Sequence, residues 1–247
     1  MAIHGIVCAK DYMDEDVAYL LGMLYGNGEL AEQGTTRRIV ITLAIRQRNP
    51  IKDIADMDVA AMNERSLNVV RRRINELLDA NVDVETESPT KARLTAVFTR
   101  KTMAWRNLLC LCSRGTSRGT FRLPKAFFAM DRIYHEEFVR GFADAAVTPN
   151  LGDRLPGGGP HRIAFPVVYR NKRFANQLHK LLVQLDVTDE DVGLLSGSGK
   201  VRGGTDREHR IRVYAERFVA IGFSFEHKQK MLEWMAQKNR ELSADAT

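Results

Sequence analysis

The sequence predicts an α+β protein made of two pseudo-twofold-related repeats, each with the order αββαββα and each a four-stranded, mainly antiparallel sheet backed by helices. Three observations carry this reading. A helix with small residues four apart occurs once in each half; a segment alternating with period two follows each of these helices; and a second amphipathic helix matches between the halves at a constant offset. The division that follows is a first repeat over residues 1–112, a linker over 113–124 and a second repeat over 125–247.

The first helix reads over residues 14–26. Acidic residues lead, Val17, Leu20, Leu21 and Leu24 recur at helical spacing, and Gly26-Asn27-Gly28 ends it. Gly22 and Gly26 lie four apart on one face. Residues 134–146 have the same build, with Glu136 and Glu137 early, Phe138 and Phe142 apolar, and Gly141 and Ala145 four apart. The strand over residues 38–46 sets Ile39, Ile41, Leu43 and Ile45 on one face, with Arg38, Val40, Thr42, Ala44 and Arg46 on the other. Its counterpart sets Ile163, Phe165, Val167 and Tyr169 opposite Arg162, Ala164, Pro166, Val168 and Arg170. Pro166 lacks a ladder donor, so an edge position or a bulge is expected there.

The second helices match residue by residue. Asn63-Glu64-Arg65-Ser66-Leu67-Asn68 aligns with Asn171-Lys172-Arg173-Phe174-Ala175-Asn176, and at the same offset Val70, Ile74 and Leu77 fall on Leu178, Leu182 and Leu185, an apolar stripe. Further strands are expected over 82–86 and 92–99, and over 192–195 and 208–213. A closing helix is expected at Ala104-Trp105-Arg106 and at Ala215-Glu216-Arg217. The stretch 148–160, with Pro149, Gly152 and the run Pro156-Gly157-Gly158-Gly159-Pro160, must be long and irregular. Residues 113–120 read as a linker whose Arg114 and Arg118 suit phosphate, with a merely solvated linker as the alternative.

Composition narrows the class. With 247 residues, 44% hydrophobic and 28% charged, the chain can bury a sizeable core, which excludes disordered and fibrous classes. The net charge of +6 favours a polyanion only if it is clustered. Cys8, Cys110 and Cys112 are too few and too badly spaced for a disulfide framework, and Cys110 and Cys112 read as small buried hydrophobes. No leader pattern and no run of about 18 apolar residues stands out. The expectation is a cytoplasmic protein, or one of a nucleoid or organelle matrix, with no membrane partner. Ser196-Gly197-Ser198-Gly199-Lys200 fails as a phosphate loop, because Leu194 and Val201 stand where Gly and Ser or Thr are needed. Arg71-Arg72-Arg73 reads as a solvated helix face, and no catalytic role is assigned to the six histidines.

Taken together, these residues resemble the LAGLIDADG homing endonuclease family over nearly the whole chain. The motif stands first as Leu20-Leu21-Gly22-Met23-Leu24-Tyr25-Gly26-Asn27-Gly28 and again as Val139-Arg140-Gly141-Phe142-Ala143-Asp144-Ala145-Ala146-Val147. The resemblance implies that Gly22, Gly26, Gly141 and Ala145 form the interface of two closely packed helices. It also implies that the adjoining helix ends, Gly26, Asn27, Ala145 and Ala146, are the metal-binding and catalytic positions. There the family carries one acid on each helix and uses Mg2+ or another divalent ion for phosphodiester cleavage.

Both acid positions depart from the pattern, since Asn27 and Ala146 carry no carboxylate. Cleavage is therefore expected to be impaired, whether by natural degeneration or by inactivating substitution. Glu29 and Asp144 are the nearest replacements, and they carry little weight because two residues along a helix rotate a side chain by about 200°.

The resemblance further implies a saddle of two sheets in the major groove of double-stranded DNA, bound by a monomer. The outward row would supply Arg38, Thr42, Arg46, Arg93, Thr95 and Thr99 from the first half, and Arg162, Arg170, Arg210 and Arg212 from the second. The alternative is a splicing cofactor bound to intron RNA, or a transcriptional regulator, that kept the fold and lost the nuclease.

Overall fold

Asp14 starts the first helix: its carboxylate accepts from the Val17 amide at 2.7 Å, and Glu15 and Asp16 follow in the turn where the helix dipole favours negative charge. In the computed structural model, which describes residues 12–46, 48–51, 57–98, 103–152, 159–188, 195–196 and 208–244, this helix, α1, spans Glu15–Asn27. Residues 18–26 are all buried, so α1 is a central helix rather than an amphipathic surface one.

The chain leaves α1 directly into β1 (Gly28–Gln33), turns at Gly34, whose φ of 57° suits glycine, and returns as β2 (Thr36–Ala44). Helix α2 (Val59–Leu78), strands β3 (Val82–Ser88) and β4 (Lys91–Phe98), and helix α3 (Met103–Leu111) complete the first half. Its sheet is antiparallel throughout, in the order β1-β2-β4-β3. The expected alternation holds along β2, where Ile39, Ile41 and Leu43 are buried and Arg38 is exposed.

A short 3-10 turn (Lys125–Ala129) leads into α4 (Arg132–Ala146), the partner of α1. Then follow β5 (Arg162–Val168), α5 (Lys172–Gln184), β6 (Leu195–Ser196), β7 (Glu208–Tyr214), the single turn α6 (Ala215–Phe218) and α7 (Glu226–Ala244). Among the described residues the second sheet has three antiparallel strands, β5-β7-β6, instead of the expected four. No strand forms over 147–150, where Pro149 removes a donor, and residues 153–158 lie outside the described residues. The expected strand over 192–195 is described only at its end, in β6. Pro166 sits in β5, which among the described residues is an edge strand, a position that tolerates a residue without an N–H. Cys8, Thr99 and the 197–200 part of the glycine-serine motif also lie outside the described residues.

Two corrections concern helices. The closing helix expected at Ala215 is one turn, and the long α7 closes the fold, burying His227, Lys228, Met231, Leu232, Met235, Ala236 and Asn239 on one face. The matched asparagines also differ in position. Asn171 caps α5 by accepting from the Phe174 amide at 3.2 Å, whereas Asn63 lies inside α2, which Asp58 caps. Both still use their amide nitrogen to hold a preceding backbone carbonyl, Arg46 for Asn63, and Arg118 and Phe121 for Asn171.

One cluster of buried apolar side chains runs through both halves. Tyr25 of α1 stacks on Phe121 at 5.0 Å and meets Phe138 of α4 and Phe174 of α5. A smaller cluster of Ile51, Met57, Val59, Met62 and Met231 joins α2 to α7.

Candidate nucleic-acid interface and helix-end groove

The helices α1 and α4 pack backbone to backbone. A Cβ on Gly22 would lie 2.0 Å from the Phe138 carbonyl oxygen, and one on Gly141 would lie 2.1 Å from that of Tyr19. One on Gly26 would stand 2.8 Å from the Phe142 oxygen, 3.1 Å from the Ala145 Cβ and 3.4 Å from the Ala146 Cβ. Only residues without side chains permit this approach, and it sets the C-terminal ends of the two helices side by side.

At that junction Asn27 is fully engaged. Its Nδ2 donates to the Thr42 carbonyl at 2.8 Å, and its Oδ1 accepts from Arg118 Nη1 at 3.1 Å. The segment that delivers Arg118 was read as a linker, and here it lies along the free edge of β1. Leu30 donates to the Thr116 carbonyl at 2.8 Å, and Glu29 bridges Ser117 as an extra antiparallel pair. On its other side Asn171 donates to the Arg118 and Phe121 carbonyls at 2.8 and 2.9 Å. The result is a polar groove of about 330 Å³ lined by Asn27, Glu29, Thr42, Arg93, Ser117 and Arg118.

Of the two substitute acids, Glu29 lines this groove from β1, exposed. Asp144 does not reach it. Fully buried, its carboxylate accepts from Tyr19 Oη at 2.7 Å and from the Ser224 and Phe225 amides at 3.1 and 3.4 Å. Burial raises its pKa above the usual carboxylate value. It is a structural anchor, and the reading of Asp144 as a stand-in ligand is corrected.

The outward face of the first sheet carries Arg38, Thr42, Arg93 and Thr95 on its two central strands. The cross-strand rows then run Thr42-Arg93-Glu85 and Glu29-Val40-Thr95-Asp83. Its outer strand β3 exposes Asp83, Glu85 and Glu87, and Arg93 is paired with Glu87. This acidic edge was overlooked, although the alternation of Asp83, Glu85 and Glu87 is plain in the sequence. The second sheet presents Arg162 opposite Tyr214, Arg212 opposite Ala164, and Arg210 opposite Pro166, with Glu208 3.5 Å from Arg210. Arg170 is exposed in the turn after β5.

Two arginines stand elsewhere than expected. Arg46 does not join the outward row; half-buried, it donates to the Pro149 carbonyl at 3.0 Å and so ties the first half to the second. Arg73 is not a solvated residue either. Its guanidinium lies 4.1 Å over the Tyr19 ring, bonds Glu137 at 3.0 Å and pairs with Asp16. Cys112 is buried, which pushes its thiol pKa up, as expected of an inert core cysteine.

Two central helices touching backbone to backbone, each leading into its own antiparallel sheet with a further helix, carry the motif residues at the contact. This is the helix contact that the resemblance to the LAGLIDADG family implies. Solved structures similar to the chain include a variant of I-DmoI in complex with its target DNA in the presence of manganese, with a TM-score of 0.49 and 15% identity over 88% of this chain and 97% of that one. Mesophilic variants of the homing endonuclease I-DmoI give a TM-score of 0.47 and 14% identity, over 83% of this chain and 88% of that one. Full-length DUF199/WhiA from Thermotoga maritima gives 0.48 and 12%, over 94% of this chain and 61% of that one. At these identities and TM-scores they are likenesses and no more. No protein-family model matches the chain, and no curated protein matches it.

The divalent ion that the LAGLIDADG resemblance implies does not fit the residues present. Asn27 spends both ends of its amide on protein partners, Ala146 offers no side-chain oxygen, and a guanidinium stands beside Asn27 where a cation would sit. Among the described residues no group of three or more His, Cys, Asp or Glu side chains is placed to hold a metal. Nor, among them, is any helix long and apolar enough to cross a membrane.

Proposed function

We propose that the chain is a sequence-specific double-stranded DNA-binding protein of the LAGLIDADG type that binds as a monomer and does not cleave. The observation that carries this reading is the alternation of arginine with core residues on strands of both sheets. Arg38 and Arg93 stand on the first sheet and Arg162, Arg210 and Arg212 on the second, flanking the paired helices. Guanidinium forks on the outward row of a sheet, two of them consecutive at Arg210 and Arg212 on β7, suit the major groove, where they pair bidentately with guanine or grip phosphate. The acidic strand β3 makes the first sheet the weaker contributor, so the second sheet and the central strands carry most of the contact. The loss of cleavage follows from the helix ends, which offer no carboxylate at positions 27 and 146.

Selection from a randomised duplex library tests this. The expected result is enrichment of one extended site. If these five arginines each neutralise one phosphate, log Kd should change with log salt with a slope of magnitude about 4.5. Incubating that site with Mg2+ or Mn2+ should leave both strands intact. Absence of any enriched duplex at moderate salt overturns the reading, and enrichment of a structured RNA in a parallel selection selects the splicing-cofactor alternative instead.

A further inference from the structure

We propose that the outer face of α5 is a second nucleic-acid site, which takes an unpaired stretch of RNA while the duplex lies on the sheets. The inference rests on the DNA-binding reading above only in the choice of RNA over single-stranded DNA: a protein that leaves both strands of its duplex intact releases no unpaired DNA.

The repeat supplies its own control. At the offset that aligns Asn63 with Asn171, the two acids of α2, Glu64 and Glu76, fall on Lys172 and Gln184, so α5 carries no carboxylate. Arg65 of α2 is bonded to Glu226 at 2.7 Å, whereas its counterpart Arg173 is exposed and bonded to no carboxylate among the described residues. The absence extends beyond the helix. Residues 88–130 and 154–185 contain no aspartate or glutamate, and the two stretches meet where Gln177 of α5 accepts from the Leu123 amide at 3.1 Å and donates to the Leu123 carbonyl at 2.8 Å. That clamp seats Lys125 and Phe128 beside α5 and frames a hollow of about 490 Å³ lined by Lys125, Phe128, Arg173, Asn176, Gln177 and Lys180. Its three cations are all without a carboxylate partner among the described residues, and Lys180 Nζ lies 5.4 Å from the centre of the Phe128 ring. Uncompensated positive charge gathered on one surface is a footprint for a polyanion. The patch ends where Arg132 pairs with Glu136 and Asp186.

Place and shape choose the occupant. Helix α5 packs on the second sheet through Phe174, Ala175, Leu178, Leu181 and Leu182, while Arg173, Asn176 and Lys180 are exposed on its other side. The arginines of β5 and β7 stand on the row opposite the one that faces α5, so a duplex on the sheet does not cover the patch. A duplex backbone is convex and would touch only the rim. An unpaired nucleotide can enter the hollow, with its base against the guanidinium plane of Arg173 and its phosphates on Lys125 and Lys180. The amide of Asn176, exposed and without another partner among the described residues, is placed to read a base edge.

Two labelled probes test this on the full chain: the selected duplex, and a single-stranded RNA of about 12 nucleotides with randomised sequence. The RNA is expected to bind the duplex-saturated protein with a Kd within about twofold of that for the free protein. Arg173→Gln/Lys180→Gln should weaken RNA binding about tenfold and lower the magnitude of its salt slope by about 1.4, the share of two phosphate contacts on a single strand, while the duplex Kd stays within about twofold. Arg71→Gln/Arg72→Gln, which removes the same charge from the exposed face of α2, should change RNA binding by less than about twofold. Displacement of the RNA by the duplex, or an equal loss in both double variants, overturns the inference while the DNA-binding reading stands. Failure to select any duplex, with RNA binding still lost in Arg173→Gln/Lys180→Gln, overturns the DNA-binding reading and leaves the patch. A deoxy strand of the same sequence should compete several-fold more weakly, because the 2′-hydroxyl gives Asn176 and the lysines one more group to bond. Equal competition by that strand, or by polyglutamate, makes the ligand single-stranded DNA or an acidic protein and overturns the assignment of RNA. Unchanged thermal melting of each variant establishes that the fold is retained.

Discussion

A methyl group is enough to probe the central contact. Replacing Gly22 by Ala places a carbon 2.0 Å from the Phe138 carbonyl oxygen, and the obstruction is backbone rather than a flexible side-chain tip. Gly141→Ala meets the Tyr19 carbonyl in the same way. The two helices must separate, opening the core on both sides, so each variant should lose about 3 kcal/mol or more of stability by denaturant unfolding. Gly119→Ala, whose added carbon meets nothing within 4 Å, should stay within about 0.5 kcal/mol. If Gly22→Ala proves as stable as Gly119→Ala, the backbone contact is not as described. Glycines four apart on an apolar helix were legible as close-approach positions because only small residues fit there. The partners of Asn27, Arg46 and Arg73 were not. Arg118 lies 91 residues from Asn27 and Pro149 lies 103 from Arg46, so an arginine that reads as exposed in sequence is tucked in by an acceptor from the other half.

At the scale of elements, α7 docks onto the helix pair through its first turn. Asp144 of α4 receives the Ser224 and Phe225 amides just ahead of the helix, and Lys228 Nζ donates to the Asp144 carbonyl at 2.6 Å. Beside it His227 is 1% exposed, and burial, reinforced by Lys228 and Arg46, lowers its pKa from 6.5 to about 3.

The native state therefore holds His227 neutral while the unfolded chain protonates it. Its share of stability is fully present above pH 6.5 and is lost as the pH falls toward 3, at no more than about 1.4 kcal/mol per pH unit. Asp144, raised by burial, acts in the opposite sense as the pH falls, and does so with or without the histidine. The comparison that isolates His227 is with His227→Gln. Between pH 7 and pH 4.5 the variant should gain about 2 kcal/mol on the unaltered protein in urea unfolding, and parallel curves would show that the histidine titrates normally in the fold. The spacing of α7 was present in the sequence as Met231-Leu232 and Met235-Ala236, but the charged residues around them, Lys228, Lys230, Glu233 and Lys238, hide it from a search led by apolar runs. The strand β1 was hidden for a related reason: apart from Leu30 and Ala31 its residues are glycine and polar, and what makes it a strand is pairing with β2.

For the whole molecule the question is whether two repeats make two folding units or one. The repeat in the sequence is legible as similar element order, and that alone permits either answer. The contacts argue for one unit. Residues 18–26 of α1 are buried on every side, which a lone first half cannot achieve without α4. Tyr25 packs among Phe121, Phe138 and Phe174, Arg73 bonds Glu137, and Arg65 pairs with Glu226 at 2.7 Å. The two tryptophans report different places: Trp105 is fully buried in the first half, with Nε1 donating to Glu32 at 2.9 Å, and Trp234, a residue of α7, packs on the main core and on the smaller cluster that joins α2 to α7. Variants Trp105→Phe and Trp234→Phe, each left with one reporter, should therefore unfold in urea with coincident midpoints and equal slopes, once each curve is compared with circular dichroism of the same variant. Fluorescence midpoints that differ from the dichroism midpoint within one variant would mean that one half opens before the other, and that the helix pair does not bind the repeats into a single cooperative structure.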